Sequence, residues 1–382
     1  MLREDAAVFD RQQDPRGRCR VLPPAVSAGV FHRPLSGGAG RISQKTGAGG
    51  NVGHVGFPGG PVAHADFPAL TSLEICAGAG GQALGLEQAG FSHEAVVELD
   101  ADACGTLRYN RQWKVIEGDV ANVDGRAFAG VDLLAGGVPC PPFSIAGKQL
   151  GSDDERDLFP QALRLIEEIG PRAVLLENVR GLGTRRFEGY RAQVLGRLRA
   201  LGFQTWWDLV HASDHGVSQL RPRFVLVAMR PPWSEWFRWP EPQAVPPPTV
   251  GEALGGLMAS RGWPGAAAWA RRAAGIAPTI VGGSKKHGGP DLGPTRARAA
   301  WAAMGVNGLG IADEVPGPDF PVDRPPKLTV AMVARLQGFP DDWTITGRKT
   351  AAYRQVGNAF PPPVARALGT AIAAALNAAP SG

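Results

Sequence analysis

From Thr71 to about residue 230, short apolar runs alternate with helical stretches, and that alternation leaves few architectures open to the chain. Residues 72–76 read as a short buried strand, 78–81 as a glycine-rich turn, and 82–89 as a helix that ends at Gly90. Strands follow at 95–99, 115–117 and 131–135, with a helix near 102–109 between the first two. Beyond them lie a helix at 159–169, an apolar strand at 173–176, a helix at 190–201 that stops at Gly202, and strands at 204–209 and 224–228. Strand and helix alternating at this spacing predict an α/β fold built on a doubly wound, mostly parallel sheet.

The rest of the chain is organised differently. Residues 1–69 have no periodic apolar pattern but many Gly, Pro and Arg, as in Gly47-Ala48-Gly49-Gly50, and read as a disordered or non-native N-terminal extension. Residues 70–230 carry the alternation. Over 231–327 it is lost and six of the ten Trp are concentrated, so a second, smaller irregular domain is expected there. Helices at 330–336 and 364–377 mark a return to the first domain over 328–382.

Composition narrows the class. Four Cys among 382 residues exclude a disulfide scaffold, and the lack of a CxxC pair with seven scattered His argues against zinc, so no metal is expected. No apolar run approaches the roughly 20 residues of a membrane span. Pro23 and Pro24 break the N-terminal apolar stretch, so neither a signal peptide nor a membrane partner is expected. A cytoplasmic monomer is the resulting expectation. The net charge of +5 is unevenly spread: residues 70–230 carry −3, while 1–69, 231–327 and 328–382 carry +3, +2 and +3. A polyanionic partner would be gripped mainly by the later part of the chain.

The turn Cys76-Ala77-Gly78-Ala79-Gly80-Gly81 follows a strand and opens a helix. Its glycines let the backbone approach a ligand, and the helix N-terminus offers free N–H groups to an anion, although a tight connection alone would look the same. Glu98 ends the second strand, where a carboxylate can accept hydrogen bonds from ribose hydroxyls or simply face solvent. Asp119, in Gly118-Asp119-Val120 after the third strand, is similarly placed for an adenine amino group, with Val120 against the ring. These features fit a nicotinamide dinucleotide and S-adenosylmethionine equally. The fourth strand separates them, because it runs into Gly136-Gly137-Val138-Pro139-Cys140-Pro141-Pro142-Phe143-Ser144. A Cys in a Pro-rich loop at a strand's carboxyl end is placed as a nucleophile over the ligand crevice, whereas Cys104, in an ordinary helix, reads as core.

Glu177-Asn178-Val179, Gln219-Leu220-Arg221-Pro222-Arg223, Arg335-Leu336-Gln337-Gly338-Phe339-Pro340 and Gln355-Val356-Gly357-Asn358-Ala359 follow in order. With these blocks the chain resembles the DNA (cytosine-5)-methyltransferases of the bacterial restriction–modification type, from about Thr71 to Asn377. The resemblance implies the Rossmann-like fold of S-adenosylmethionine-dependent methyltransferases, a target-recognition domain at 231–327, and a reaction on cytosine in double-stranded DNA. It implies Cys140 as the nucleophile at carbon 6 of the ring and Glu177 as the acid near N3. Arg221 and Arg223 are implied to hold the catalytic loop and base, with Arg223 near the cytosine O2. S-adenosylmethionine is the implied cofactor, bound by Cys76, Ala77, Gly78, Gly80, Gly81, Glu98, Leu99, Asp119, Val120, Pro139 and Asn358. A flipped-out base with a loop closing behind it implies DNA contacts from Ser144 and Lys148. Lys285, Lys286, Arg296 and Arg298, in the strongly basic run 271–298, are the expected grip on phosphate. Cys76 departs from the family's usual aromatic, Pro141 from its usual Gln, and Ala331-Met332 from its usual Arg-Glu pair. Functional pairing with a restriction endonuclease is the implied biological role. A tRNA methyltransferase of the same family would carry a Cys-Phe-Thr tripeptide that is absent here, and a nicotinamide-dependent oxidoreductase would leave Cys140 with Glu177 unexplained.

Overall fold

The structure is a computed structural model that describes residues 69–139, 157–283 and 291–378. Within them β1 (Leu70–Ile75), β2 (Phe91–Glu98), β3 (Val115–Glu117), β4 (Leu133–Gly136), β5 (Ala173–Val179), β6 (Gln204–His211) and β7 (Pro222–Met229) form one sheet in the order β3-β2-β1-β4-β5-β7-β6. The pairs from β3 through β5 are parallel. Helices α1 (Gly81–Gln88), α2 (Ala101–Asn110), α3 (Phe159–Ile169) and α4 (Glu188–Ala200) lie along the connections between these strands and on to β6. The connection 212–221 holds only a 3₁₀ turn, too little chain for a parallel crossover, so β7 returns antiparallel and slots between β5 and β6.

Period-two alternation divides the strand residues between two faces. Val174 and Leu176 of β5 join Leu73, Ile75 and Leu226 under α3 and α4, whereas Ala173 and Leu175 join Leu133, Val225 and Val227 on the opposite face. Both faces are therefore covered, as the nearly continuous apolar runs of these strands require. The cover on the second face is α1 and a C-terminal helix that contributes Val364, Leu368 and Ile372.

Beyond β7 come α5 (Val250–Ala259), α6 (Ala266–Arg272), α7 (Thr295–Ala303), α8 (Val330–Leu336), α9 (Lys349–Asn358) and α10 (Pro362–Ala378). The segment 231–327 shares a core with the chain that follows it: Leu254, Met258, Trp269 and Trp301 pack with Met332, Val333, Tyr353 and Val356. Trp263, Trp269 and Trp301 are core residues, while Trp236 is half exposed. Sequence periodicity missed α5 to α7 and also α9. Arg348, at the N-cap of α9, makes no side-chain capping bond, and the helix is held instead by Tyr353 and Val356 in the shared core. The C-terminal α10 packs closely on α1: a Cβ at Gly85 would stand 2.4 Å from the Pro362 carbonyl oxygen.

Candidate active site

The buried run of β1 ends in a turn whose backbone conformation is set by its neighbours. Cys76 has φ 54°, the one positive φ at a non-glycine among the described residues, and Gly78 and Gly80 have φ 54° and 80°. The Gly78 N–H donates to Oε2 of Glu98 at 2.7 Å. The other oxygen of Glu98 accepts from the N–H groups of Leu99 and Asp100 at 2.9 and 2.7 Å. One carboxylate thus ties the turn after β1 to the end of β2. Its two oxygens offer about four acceptor sites, so capacity remains for a ligand hydroxyl.

This turn roofs a cavity of about 350 Å³ at the carboxyl edge of the sheet. Cys76, Ala77 and Gly78 line it from the turn after β1, and Glu98, Leu99, Asp119 and Val120 from the ends of β2 and β3 and the residues just beyond. Pro139 and Glu177 line it from the far side, and Asn358 from the end of α9. Asp119 is held in place by accepting from the Ala121 N–H at 2.9 Å. Gly80 and Gly81, expected among the ligand contacts, do not reach the cavity wall. They serve packing: a Cβ at Gly81 would meet the Phe360 carbonyl oxygen at 2.1 Å, so the turn and the entry to α10 touch backbone to side. Burial pushes the Cys76 thiol far above its usual range, which makes it a wall of the cavity and not a second nucleophile.

Two wall residues escaped the motif reading. Glu74 and Gln82 are 1% and 3% exposed, and their side-chain oxygens and nitrogen find no partner in hydrogen-bond geometry among the described residues. Burial pushes the Glu74 carboxyl well above the ordinary range, opposed by the nearby Ala83 N–H and reinforced by the charge of Glu98. The signal was present in the sequence: an acid inside the otherwise apolar strand Ser72-Leu73-Glu74-Ile75. An acid with a raised folded pKa contributes its stability below its unfolded pKa and loses it as pH rises through the folded value. Glu74→Gln is therefore expected to match the wild type near pH ~4 and to melt higher at neutral and alkaline pH. Thermal unfolding of the ligand-free protein across pH checks this, and parallel curves would refute it.

Glu177 lies near the end of β5, 8% exposed, with Nε of Arg223 2.6 Å from its Oε1. Burial pushes its carboxyl up, while Arg223 and Arg221 pull it back toward ionisation. Gly137 leaves the approach open, since a Cβ there would stand 3.3 Å from Oε2. The next residue, Asn178, donates from Nδ2 to the Val138 carbonyl at 2.6 Å, which anchors the chain leading to Pro139. The Leu158 N–H donates to the Pro139 carbonyl at 3.1 Å, which holds these two residues side by side. Cys140, Ser144 and Lys148 lie outside the described residues, as do Lys285 and Lys286.

Arg221 and Arg223, implied together to hold the catalytic loop and base, take different places because of where the strand starts. β7 begins at Pro222, so only Arg223 stands in it and meets Glu177. Arg221 is fully buried and donates to the carbonyls of Ile280, Gly357 and Ala359 at 2.8, 2.9 and 2.8 Å. Gln219 extends the same junction, accepting from the Ile280 N–H at 2.8 Å and donating to Oε1 of Gln337 at 2.6 Å. Arg221 is thus a clasp between the sheet, the segment around 280 and the end of α9. Asn358 also bridges these parts, its Nδ2 donating to the Gly283 carbonyl at 3.2 Å. Arg296 and Arg298 sit on α7, where Arg296 is exposed and Arg298 lies 3.8 Å from Asp291. Among the described residues no cluster of His, Cys, Asp or Glu is suited to a metal ion.

Known proteins resemble this chain over most of its length. A sequence model of the C-5 cytosine-specific DNA methylases matches residues 70–273 and 292–374. The Type II methyltransferase M.NaeI of Lentzea aerocolonigenes is 60% identical over 314 residues, covering 81% of this chain and 76% of that protein. The Type II methyltransferase M.NgoMIV of Neisseria gonorrhoeae is 54% identical, covering 80% of this chain and 98% of its own. In three dimensions, an Escherichia coli prophage-encoded protein classed as a DNA modification methyltransferase superposes with a TM-score of 0.58 at 23% identity, over 81% of this chain and 99% of its own, which speaks to the fold.

Proposed function

The chain belongs to the C-5 cytosine-specific DNA methylases, and from that premise we propose that it takes its methyl group from S-adenosylmethionine and attaches Cys140 covalently to a cytosine flipped out of a specific duplex sequence. The observation that carries this reading is the shared cavity: a buried Glu177, its carboxyl pushed up by burial, and a dinucleotide-type wall at Glu98 and Asp119 face one space. The cavity also suits the cofactor. Glu98 keeps acceptor capacity for ribose hydroxyls, Asp119 stands for the adenine amino group beside Val120, and the unpartnered buried groups of Glu74 and Gln82 await polar atoms. When bound, the cofactor supplies an electrophilic methyl on a sulfonium.

Carbon 5 of cytosine is a poor nucleophile, so the ring must first be activated by addition of the Cys140 thiolate at carbon 6. The negative charge that then builds on the ring is met by a proton from Glu177 at N3; once carbon 5 has taken the methyl it loses its own proton to water, the carbon 6–sulfur bond breaks to release the Cys140 thiolate, and the N3 proton returns to Glu177. A carboxyl holds that proton near neutral pH only if its pKa is raised, and burial acts on Glu177 in that direction. Arg223, beside Glu177, orients the carboxyl and faces the cytosine O2 side of the base. Segment 231–327 reads the target sequence. Its clasp by Arg221 keeps it in fixed relation to the cavity. The protein acts as a cytoplasmic monomer and protects host DNA from a partner endonuclease.

Duplex DNA fragments from the host, prepared with 5-fluorocytosine, test the covalent step. Wild-type protein given S-adenosylmethionine is expected to form an adduct that survives denaturing electrophoresis, and Cys140→Ser is expected to form none. Absence of a wild-type adduct, or one undiminished by Cys140→Ser, would refute the mechanism.

A further inference from the structure

Two polar side chains stand in the cavity wall with their hydrogen-bonding capacity unspent. Glu74 lies in β1, one residue before its end, and Gln82 lies in the first turn of α1. Both line the cavity, and both are more than nine-tenths buried. Among the described residues, neither carboxylate oxygen of Glu74 and neither end of the Gln82 amide makes a hydrogen bond, to each other or to a third group. The polar groups that act on the Glu74 carboxyl are the Ala83 N–H, short of hydrogen-bond geometry, and the like charge of Glu98; neither is a cation. Leaving buried polar groups unmatched costs stability, and a protein keeps such a cost where binding uses it.

The backbone that presents the pair is firmly held. Nε2 of His93 donates to the Ala83 carbonyl at 2.9 Å, and its Nδ1 accepts from the Ser72 hydroxyl at 2.9 Å. Trp343 donates from Nε1 to the Ala79 carbonyl at 3.1 Å. The end of β1, the turn and the start of α1 are thus fixed from separate sides, so little order is lost when a ligand meets these side chains.

The order of the sheet says which part of the cofactor reaches them. Neighbouring strands lie about 4.8 Å apart. In the proposed function, adenine lies at Asp119 just past β3, ribose at Glu98 of β2, and the reacting base at Glu177 of β5, with β1 and β4 standing between β2 and β5. The sulfonium must bridge ribose and base, so the amino-acid end that leaves it falls at β1, where Glu74 and Gln82 are. That end is a zwitterion. Its ammonium needs an acceptor, which Glu74 supplies, and its carboxylate needs a donor, which the Gln82 amide supplies. Arg354, the cation among the described residues of the cavity wall, is drawn instead to Asp100, 3.2 Å away beyond the end of β2.

We propose that Glu74 and Gln82 form the cradle for the amino-acid end of S-adenosylmethionine, Glu74 accepting from its ammonium and Gln82 donating from Nε2 to its carboxylate. This inference rests on the cofactor reading above.

Calorimetric titration of the full chain tests it with S-adenosylhomocysteine, with the decarboxylated analogue that keeps the amine, and with methylthioadenosine, which lacks the whole amino-acid end. Glu74→Gln is expected to weaken the first two by about 10- to 100-fold, the range for a lost hydrogen bond to a charged group. Gln82→Met is expected to weaken S-adenosylhomocysteine alone, by about tenfold. Both variants should bind methylthioadenosine as the wild type does. Because Glu74→Gln is expected to raise the melting temperature at neutral pH, its loss of binding is separable from loss of fold. Equal weakening of methylthioadenosine, the mark of a merely structural role, overturns the proposal. So does wild-type affinity of both variants for S-adenosylhomocysteine. Wild-type protein that takes up no S-adenosylhomocysteine would overturn the cofactor reading itself, and the cradle with it.

Discussion

Glu177→Gln is expected to lower single-turnover methyl transfer by about 10²–10⁴-fold, the range typical of a lost general acid. The substitution keeps the shape of the side chain and its place against Arg223, so melting temperature and DNA affinity should change little. The pH profile gives a sharper check. In the proposed mechanism Glu177 acts as the protonated acid, so activity should fall as pH rises through its pKa. Burial is what raises that pKa, and Arg223 is first among the groups that pull it down. Arg223→Gln should then move the alkaline limb of the profile to higher pH, whatever it does to the height. A limb that stays in place, or a Glu177→Gln enzyme with near-normal rate, would remove Glu177 from the role of acid.

Gly81→Ala is expected to be among the most damaging single-atom additions in the chain. Its Cβ would sit 2.1 Å from the Phe360 carbonyl oxygen and 3.1 Å from the Phe339 ring. Backbone cannot swing aside as a flexible side chain would, so α1 must move off the entry to α10 and the turn above the cavity must move with it. Overpacking of this kind costs about 3 kcal/mol. A loss of about 1.4 kcal/mol in binding would already weaken cofactor affinity tenfold. Thermal unfolding and calorimetric titration with S-adenosylhomocysteine measure the two effects. Gly256→Ala in α5 supplies the contrast: nothing lies within 4 Å of its added Cβ, and a gain of about 0.5–1 kcal/mol is expected from helix propensity. Equal behaviour of the two variants would show that the close approach at Gly81 does not matter.

The strand–helix alternation was legible because it is local. Apolar runs of strand length, glycines at helix ends and carboxylates at strand ends follow from what each short segment can bury or expose. Elements held by distant partners were harder to read. Helix α9 lacks a capping side chain and owes its place to Tyr353 and Val356 in a core formed largely by 250–345. Helix α5 did carry a readable signal, the reciprocal cap of Thr249 and Glu252, which the density of Pro and Trp around it obscured.

The candidate site divides along the same line. The sequence by itself determined which chemical groups gather at the carboxyl edge, since Glu98, Asp119, Pro139 and Glu177 each terminate or follow a strand of a parallel sheet, and such ends share one edge. Only the tertiary structure decided the fates of Arg221 and Arg223. Two residues apart in the chain, one meets a carboxylate from β5 and the other three carbonyls from positions 280, 357 and 359. The same holds for Glu74, whose carboxyl is pushed up by its burial, and for Gly81, whose missing side chain makes room for Phe360. The physical reason is common to all four. A side chain's own type limits which bonds it can make, but the dielectric around it and the backbone groups that face it come from elements far away in sequence, and these appear only once the layers have packed.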